Sequence, residues 1–391
     1  MPFSQVKLSL ILLFLFSLFS CKGKDITLVD YDGKNNNKEK APDQTPEEPT
    51  TPLPANSIID MALIYGGGAH RDVVWDKEHF IPYVSYADRN NKESWLFDGF
   101  LLLEISNGKQ KIFATGYYGT PAAKTEWKAL ADYYFTPGQC VDALNSCIAE
   151  KIQTLGAPSK KRKIVVGIPE PIVAGPNSNY KDTPADYWGE IDGRKLDFNV
   201  QNDRVIACRW YIDYIKTLFD AGSFSNLELE GFYWIAEETL HTKTILTTIG
   251  KYLENDGYSF NWIPYWKEKP DYFEWKELGF HHTYLQPNYF FNEQIPYSRL
   301  VDACKIAKQY NLDMELEFDL RVFAGAGSRA YRLHDYMKAF RIYGILNSKR
   351  IAYYQDCDAV YQLSVSPDEE NKALLRDFCE FVLEHQTAIG Q

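Results

Sequence analysis

An apolar stretch that ends in two carboxylates, EGFYWIAEE at residues 230–238, has the clearest potential for chemistry in the chain. Its aromatic and aliphatic residues predict a buried strand, and Glu237 and Glu238 close that strand. Charged side chains are costly inside a protein and normally lie on solvated faces. Two adjacent acids at the end of a buried strand therefore indicate either a functional site or the cap of the next helix.

A second acidic segment, MELEFD at residues 314–319, alternates apolar residues with carboxylates. Side chains along a strand point alternately to two faces, so Glu315, Glu317 and Asp319 share one face. The apolar residues of the segment suit packing against helices. The pattern therefore predicts that the three acids point to the inner face of a sheet.

The elements that would position these acids alternate along the chain. Apolar runs of strand length are separated by segments with helical periodicity. Eight such runs are found, at residues 58–68, 95–106, 163–171, 227–238, 259–266, 281–290, 312–322 and 350–360. Strict alternation implies right-handed crossovers and a parallel sheet. Eight units in a single domain predict a closed (β/α)8 TIM barrel, with an open doubly wound α/β sheet as the alternative.

In a TIM barrel the active site lies at the C-terminal ends of the strands. Strands four and seven would bring Glu237 and Glu317 to that end, where they can face each other across a substrate. Glycoside hydrolysis needs one acid to protonate the leaving oxygen and a second to act as nucleophile or base. We therefore predict Glu237 as the acid/base, with Glu238 its nearest competitor. Glu317 is predicted as nucleophile or base, and Glu315 as a supporting acid.

Other interpretations of the acids remain open. Arg321 or Arg350 could neutralise the acids of strand seven in a buried ion-pair network. Polar residues also end other strands, Glu104 and Glu170 among them. The alternative function is that of a non-catalytic glycan-binding protein, which would bind its ligand at the same end of the barrel.

The residues around the strand ends suit a saccharide, since aromatic side chains offer flat faces and amides and acids bind hydroxyls. Tyr, Phe and Trp make up 15% of the chain. In WIPYW, at residues 262–266, we expect Trp266 to stack under a sugar and Trp262 to pack in the core. The predicted substrate-binding residues are Trp234, Trp266, Tyr265, Gln286, Asn288, Tyr289, Asp319 and Asp356.

No metal or organic cofactor is expected. The sequence has no HExxH, CxxC or GxSxG motif, which disfavours a zinc hydrolase, a metal-dependent deacetylase and a serine esterase. GAGSRA at residues 325–330 loosely resembles a dinucleotide fingerprint but lacks its context. A net charge of −11 argues against a nucleic-acid partner. The acids and aromatic residues at the strand ends make a glycan the expected partner.

The N-terminus predicts export and anchoring. An apolar run after Lys7 ends in Ser20 and Cys21, which fits a lipoprotein signal peptide at residues 1–20 with lipidation at Cys21. A plain signal peptide or a single membrane helix is the alternative. Residues 21–56 are polar and predict a disordered tether, followed by the barrel at residues 57–391. The expected location is the cell envelope, at the outer membrane on its periplasmic or surface face, with the membrane contacted through the lipid only.

Several short motifs, FDGFLLLEI, GFYWIAEE, WIPYW, LGFHHTYLQPNYFF and MELEFD, resemble a domain-of-unknown-function family of Bacteroidetes lipoproteins with a glycoside-hydrolase-like barrel. The resemblance implies a barrel, export and a carbohydrate context, and the family name assigns no activity. By this resemblance Glu237, Glu315, Glu317 and the amides Gln286 and Asn288 would be signature positions.

Overall fold

The computed structural model describes residues 53–54, 56–266 and 271–390. The predicted signal peptide, the predicted lipidation site Cys21 and most of the predicted tether lie outside these residues. No helix in the described ranges has the length and apolar character needed to cross a membrane.

Within the described ranges, eight parallel strands close into a barrel. They are β1 (Asp60–Tyr65), β2 (Gly99–Leu103), β3 (Arg162–Ile168), β4 (Leu227–Trp234), β5 (Ser259–Trp262), β6 (His282–Leu285), β7 (Asp313–Glu317) and β8 (Ile351–Tyr354). Each pairs with its neighbours in chain order, and β8 pairs with β1. Every strand falls on one of the eight predicted runs, so the predicted TIM barrel is confirmed and the open sheet is excluded.

The helices cover the outside of the barrel. They are α1 (Lys77–Val84), α2 (Lys124–Tyr134), α3 (Cys140–Leu155), α4 (Gln201–Gly222), α5 (Lys243–Asn255), α6 (Ser298–Tyr310), α7 (Ala330–Ile342), α8 (Ala359–Val365) and α9 (Glu369–Ile389). The fifth unit differs, because its described residues return through a short 3-10 helix, Asp271–Glu274.

The alternation predicted for β7 determines which of its residues reach the barrel interior. Phe318 packs against Phe378 of α9, with ring centroids 5.2 Å apart, so its parity faces the helices. Glu315 and Glu317, of the other parity, therefore face inward, and both are buried. Glu317 lies at the C-terminal end of β7, one layer above Glu315.

A β-bulge in β4 reverses which residues face inward. Leu229 pairs with Ile164 of β3, but Val165 pairs with Gly231, so Glu230 is the extra residue. A side chain at Gly231 would collide with Ser259 of β5, which explains the glycine. Beyond the bulge, alternation is shifted by one residue up to the end of the strand at Trp234, and Glu237 follows three residues later.

Candidate active site

Glu317 is a firmly held carboxylate at the C-terminal end of the barrel. Its Oε2 atom accepts hydrogen bonds from the backbone N–H of Asn288 at 2.6 Å and from the Tyr336 hydroxyl at 2.5 Å. Burial, and then the charge of Glu317, hold the pKa of Tyr336 well above its usual value, so the phenol remains a donor. Two donors on one oxygen favour the ionised form of Glu317. Such a carboxylate suits a nucleophile or base.

Two arginines form ion pairs with acids at the start of β7 and just beyond its end. Arg321 donates to both carboxylate oxygens of Asp319, at 2.9 Å and 2.5 Å to Oδ2 and at 3.0 Å to Oδ1. Arg350 lies 3.5 Å from Asp313, at the N-terminal end of β7. The ion pairs considered for strand seven therefore form at its two ends, and Asp319, predicted to bind substrate, is held by Arg321.

Tyr265 is a neighbour of Glu237, because its backbone N–H donates to the carbonyl oxygen of Glu237 at 3.3 Å. Burial raises the pKa of the Tyr265 phenol, and the charges of Glu237 and Glu317 both raise it further. The Asn288 side chain and Arg299 act on the same phenol in the opposite direction. Tyr265 is thus an electrostatic neighbour of both predicted catalytic acids.

Glu238 is exposed and acts on a different neighbour, Glu170, just beyond the end of β3. Burial raises the pKa of Glu170 to about 7; hydrogen bonds from Thr115 and the charge of Arg204 lower it, while the charge of Glu238 raises it. The backbone N–H of Thr115 donates to Oε2 of Glu170 at 2.6 Å. The adjacent acids Glu237 and Glu238 therefore serve two different sides of the mouth.

The raised pKa of Glu170 predicts a pH-dependent stability. Between its unfolded value of 4.5 and its folded value of about 7, the unfolded chain releases a proton that the folded chain keeps, so stability falls as pH rises. That difference corresponds to about 3 kcal/mol. Glu170→Gln should remove this slope. From pH 4 to pH 8, the free energy of unfolding of the variant should therefore rise by about 3 kcal/mol relative to that of the parent protein. Urea denaturation across this range measures it.

Glu277→Gln is the matched control, because Glu277 is exposed and lies before β6, at the opposite end of the barrel. Its stability curve should run parallel to that of the parent protein. A Glu170→Gln curve that is also parallel would refute the assignment.

Asp356 is a second acid that holds a proton near neutrality. It follows β8 in the left-handed backbone region, with φ 58°, and is 5% exposed. Burial, and then the charge of Asp319, raise its pKa to about 7, although Arg71 acts in the opposite direction. A protonated carboxyl can donate a hydrogen bond, which suits the predicted role of Asp356 in binding a sugar hydroxyl.

Arg71 joins three strands at the mouth. It donates to both carboxylate oxygens of Glu104, at 2.7 Å and 2.9 Å, and to Sγ of Cys357 at 2.9 Å. Its guanidinium also lies 5.1 Å from the ring centroid of Tyr65. Tyr65 in turn contacts Tyr354 edge to face, at 5.8 Å. This cluster fixes the β1–β2–β8 side of the mouth.

The aromatic residues predicted at the mouth divide into two groups. Trp266 is half-buried under the guanidinium of Arg299, 4.8 Å from its ring centroid, and Tyr265 is half-buried beside it. The structure places Trp234 in the core instead, fully buried with its ring edge-on to Phe260. With no exposed surface, the Trp234 ring packs in the core and not at the mouth.

Tyr289 also lies in the core. Its hydroxyl donates to Asp335 of α7 at 2.7 Å, and its ring stacks on Arg332 at 3.7 Å. The left-handed backbone of Asn288, with φ 52°, turns the chain at this point. Gln286, two residues before Asn288, directly follows β6 and is 4% exposed. Its backbone bridges to that of Tyr265.

The two tryptophans of the WIPYW segment should respond differently to truncation. Trp262 is fully buried, stacks on Phe280 at 4.9 Å and donates its indole N–H to the backbone oxygen of Ala236. Trp262→Ala should lower the free energy of unfolding by about 3–5 kcal/mol. Trp266→Ala should leave stability nearly unchanged and weaken glycan binding. Urea denaturation and a binding titration on both variants measure this; equal losses of stability would show that Trp266 is structural.

The residues near the mouth that the sequence analysis did not predict lie outside the strands. Arg71 lies in the loop after β1 and Tyr336 in the middle of α7, and neither position carries a motif. Glu170 stands at a strand end, which was the available signal for it. Among the described residues, no group of three or more His, Cys, Asp or Glu side chains is arranged to hold a metal ion.

Fold and site together define an α/β barrel protein with several carboxyl groups around the mouth of the barrel. The chain belongs to the family described as a domain of unknown function, DUF4855, whose profile matches residues 60–380. A search of curated proteins found no match.

Solved structures with a similar chain path include the tryptophan synthase α-subunit of the hyperthermophile Pyrococcus furiosus. It is 10% identical, with 83% of this chain and 97% of that chain covered and a TM-score of 0.36. A mutant of the same subunit is 10% identical over 85% of this chain and 98% of that chain, with a TM-score of 0.35. The assignment of the barrel fold is based on the strand pairing described above.

Proposed function

We propose that this protein is a glycoside hydrolase that acts on glycans through Glu237 and Glu317. The observation that carries the proposal is a chain of contacts between the two acids. The backbone N–H of Tyr265 donates to the carbonyl oxygen of Glu237 at 3.3 Å, Tyr265 bridges to Gln286, and the N–H of Asn288, two residues later, donates to Glu317. Glu317 is buried and accepts two hydrogen bonds on one oxygen, as an ionised nucleophile or base would. Glu237 is half-buried at the end of β4 and remains accessible to a leaving group.

In the proposed reaction, Glu237 gives a proton to the glycosidic oxygen as the bond to the anomeric carbon breaks. Glu317 either bonds to that carbon or removes a proton from the water that attacks it. In the first case water later releases the sugar, with Glu237 taking the proton from that water. Asp356 and Trp266 would bind the sugar from opposite sides of the mouth.

A panel of glycans with product analysis tests the proposal. Release of new reducing ends by the parent protein, lost in Glu237→Gln and in Glu317→Gln, supports it. Glycan binding without turnover in the parent protein would favour the alternative, a non-catalytic glycan-binding protein on the same barrel. Anomeric analysis of the first product by NMR would distinguish retention from inversion.

Anchoring by a lipid at Cys21 belongs to the same proposal, together with the Bacteroidetes envelope location that the sequence resemblance implies. Supporting it are the apolar run after Lys7 and the small residue Ser20 before the cysteine. Expressed in a Bacteroidetes host, the parent protein should partition into detergent and Cys21→Ala should not. Detergent partition of Cys21→Ala would show that the protein is anchored in another way.

A further inference from the structure

The loop after β2 carries two tyrosines to the edge of the mouth. Its tip is Thr115-Gly116-Tyr117-Tyr118-Gly119, and both glycines have positive φ, 88° and 150°. Only glycine adopts such angles without strain, so the backbone turns sharply on either side of the tyrosines. Tyr117 is partly buried against the core, whereas Tyr118 is 94% exposed. The loop therefore presents one aromatic ring to solvent at a defined place.

Hydrogen bonds attach this loop to the acidic site. The backbone N–H of Glu170 donates to the carbonyl oxygen of Phe113 at 2.7 Å, and the N–H of Thr115 donates to the Glu170 carboxylate. At its base the loop pairs Lys111–Ile112 with Thr120–Pro121. The ring of Tyr118 is thus carried on a segment tied directly to the end of β3.

The charges beside the loop restrict what it can bind. Glu238 is exposed there and Glu170 is close to it, while the nearby cation Arg204 donates to the backbone oxygen of His241 and to Thr244. Carboxylate or sulfate groups on a sugar would be repelled by the Glu238 charge. A neutral sugar can place a hydroxyl on the exposed carboxylate of Glu238 and its apolar face on an aromatic ring.

We propose that the β2–β4 side of the mouth is a second sugar subsite, in which Tyr118, on the loop held by Glu170, stacks on a neutral pyranose ring near Glu238. The inference rests on the proposed function, since it extends the glycan site defined by Glu237 and Glu317. It implies a substrate that is a chain of sugars, spanning from Trp266 on one side of the mouth to Tyr118 on the other.

Affinity electrophoresis tests the subsite without requiring turnover. The Glu317→Gln protein is run through native gels that contain xylan, mixed-linkage β-glucan, galactomannan or, as the anionic counterpart, polygalacturonate. We expect retardation by at least one neutral polysaccharide and none by polygalacturonate. Added to this background, Tyr118→Ala should weaken retardation about tenfold in apparent Kd, a typical loss for an aromatic contact. Tyr118→Phe should keep it, because stacking needs the ring and not the hydroxyl.

The other outcomes overturn the inference. Equal retardation of the Tyr118→Ala and unsubstituted forms would remove Tyr118 from the site and leave the proposed function standing. Retardation by polygalacturonate alone would refute the neutral subsite. No retardation by any gel would refute the subsite, while glycan turnover by the parent protein would still support the proposed function. Since Tyr118 is 94% exposed, Tyr118→Ala should melt with the parent protein, which excludes misfolding as the cause.

Discussion

Glu317→Gln should lower kcat on a glycan substrate by on the order of 10²–10⁴-fold, the range for loss of a catalytic acid, base or comparable carboxylate. Glutamine keeps the shape of the side chain and can still accept the hydrogen bonds of Asn288 and Tyr336. The fold should therefore be kept, and the loss should reflect missing charge and nucleophilicity. Initial rates with saturating glycan, together with thermal melting of the variant, measure both.

Two further variants give this result its meaning. Glu228→Gln, at the far end of the barrel and half-exposed, should retain full turnover. Glu238→Gln should leave more turnover than Glu237→Gln, because Glu238 acts on Glu170 and Glu237 acts on Tyr265 beside Glu317. The reverse order would move the acid role to Glu238, and undiminished turnover in Glu317→Gln would refute the catalytic assignment.

The barrel could be predicted because its information is local. Each strand is a short apolar run, and strict alternation with helical segments leaves few topologies. The parity of β7 was equally accessible, since alternate acids have one consistent explanation when the strand has no solvated face. Phe318 against Phe378 confirms that parity.

The bulge in β4 could not be predicted in this way. Because Glu230 is an extra residue, each later side chain of β4 faces the side opposite to the one that regular alternation from Leu229 would give. A side chain at Gly231 would collide with Ser259 of the next strand, a contact that the sequence of β4 alone does not show. Sequence reasoning placed Glu237 at the mouth from its position at the strand end alone, and its orientation is a property of the assembled sheet.

Tertiary contacts also determine whether an aromatic residue at a strand end lies in the core or faces the mouth. Trp234 and Tyr289 are close to strand ends in sequence, yet they pack against Phe260 and α7. An aromatic at a strand end can fill the core or face a ligand, and composition does not separate these outcomes. Arg71 shows the converse case, since its partner Glu104 lies 33 residues away along the chain.

A large stability effect is also expected at the opposite end of the barrel, where His385 of α9 pairs with Asp60 of β1 at 2.7 Å, both fully buried. Burial alone would lower the pKa of His385, but the Asp60 carboxylate and the carbonyl oxygen of Lys349 outweigh it and raise the pKa on balance. Both ring nitrogens lie within 2.9 Å of acceptors, so both donate, and the ring is an imidazolium. Tyr353 also donates to Asp60, at 2.6 Å. The pair therefore binds the last helix to the first strand.

His385→Gln should lower the free energy of unfolding by about 3–5 kcal/mol, because it leaves a buried carboxylate without its cation. The sign of the pH effect follows from the raised pKa: the stabilisation is complete below the unfolded value of 6.5 and is lost as pH rises through the folded value. The difference in free energy of unfolding between parent and variant should thus be largest in mild acid and should narrow at alkaline pH, as measured by urea denaturation.

His334→Gln is the control, since that histidine of α7 is 47% exposed and its substitution should change stability little. Asp60→Asn combined with His385→Gln should cost less than the two single losses added together. Additive losses, or a difference that widens with pH, would show that the two side chains are not an ion pair.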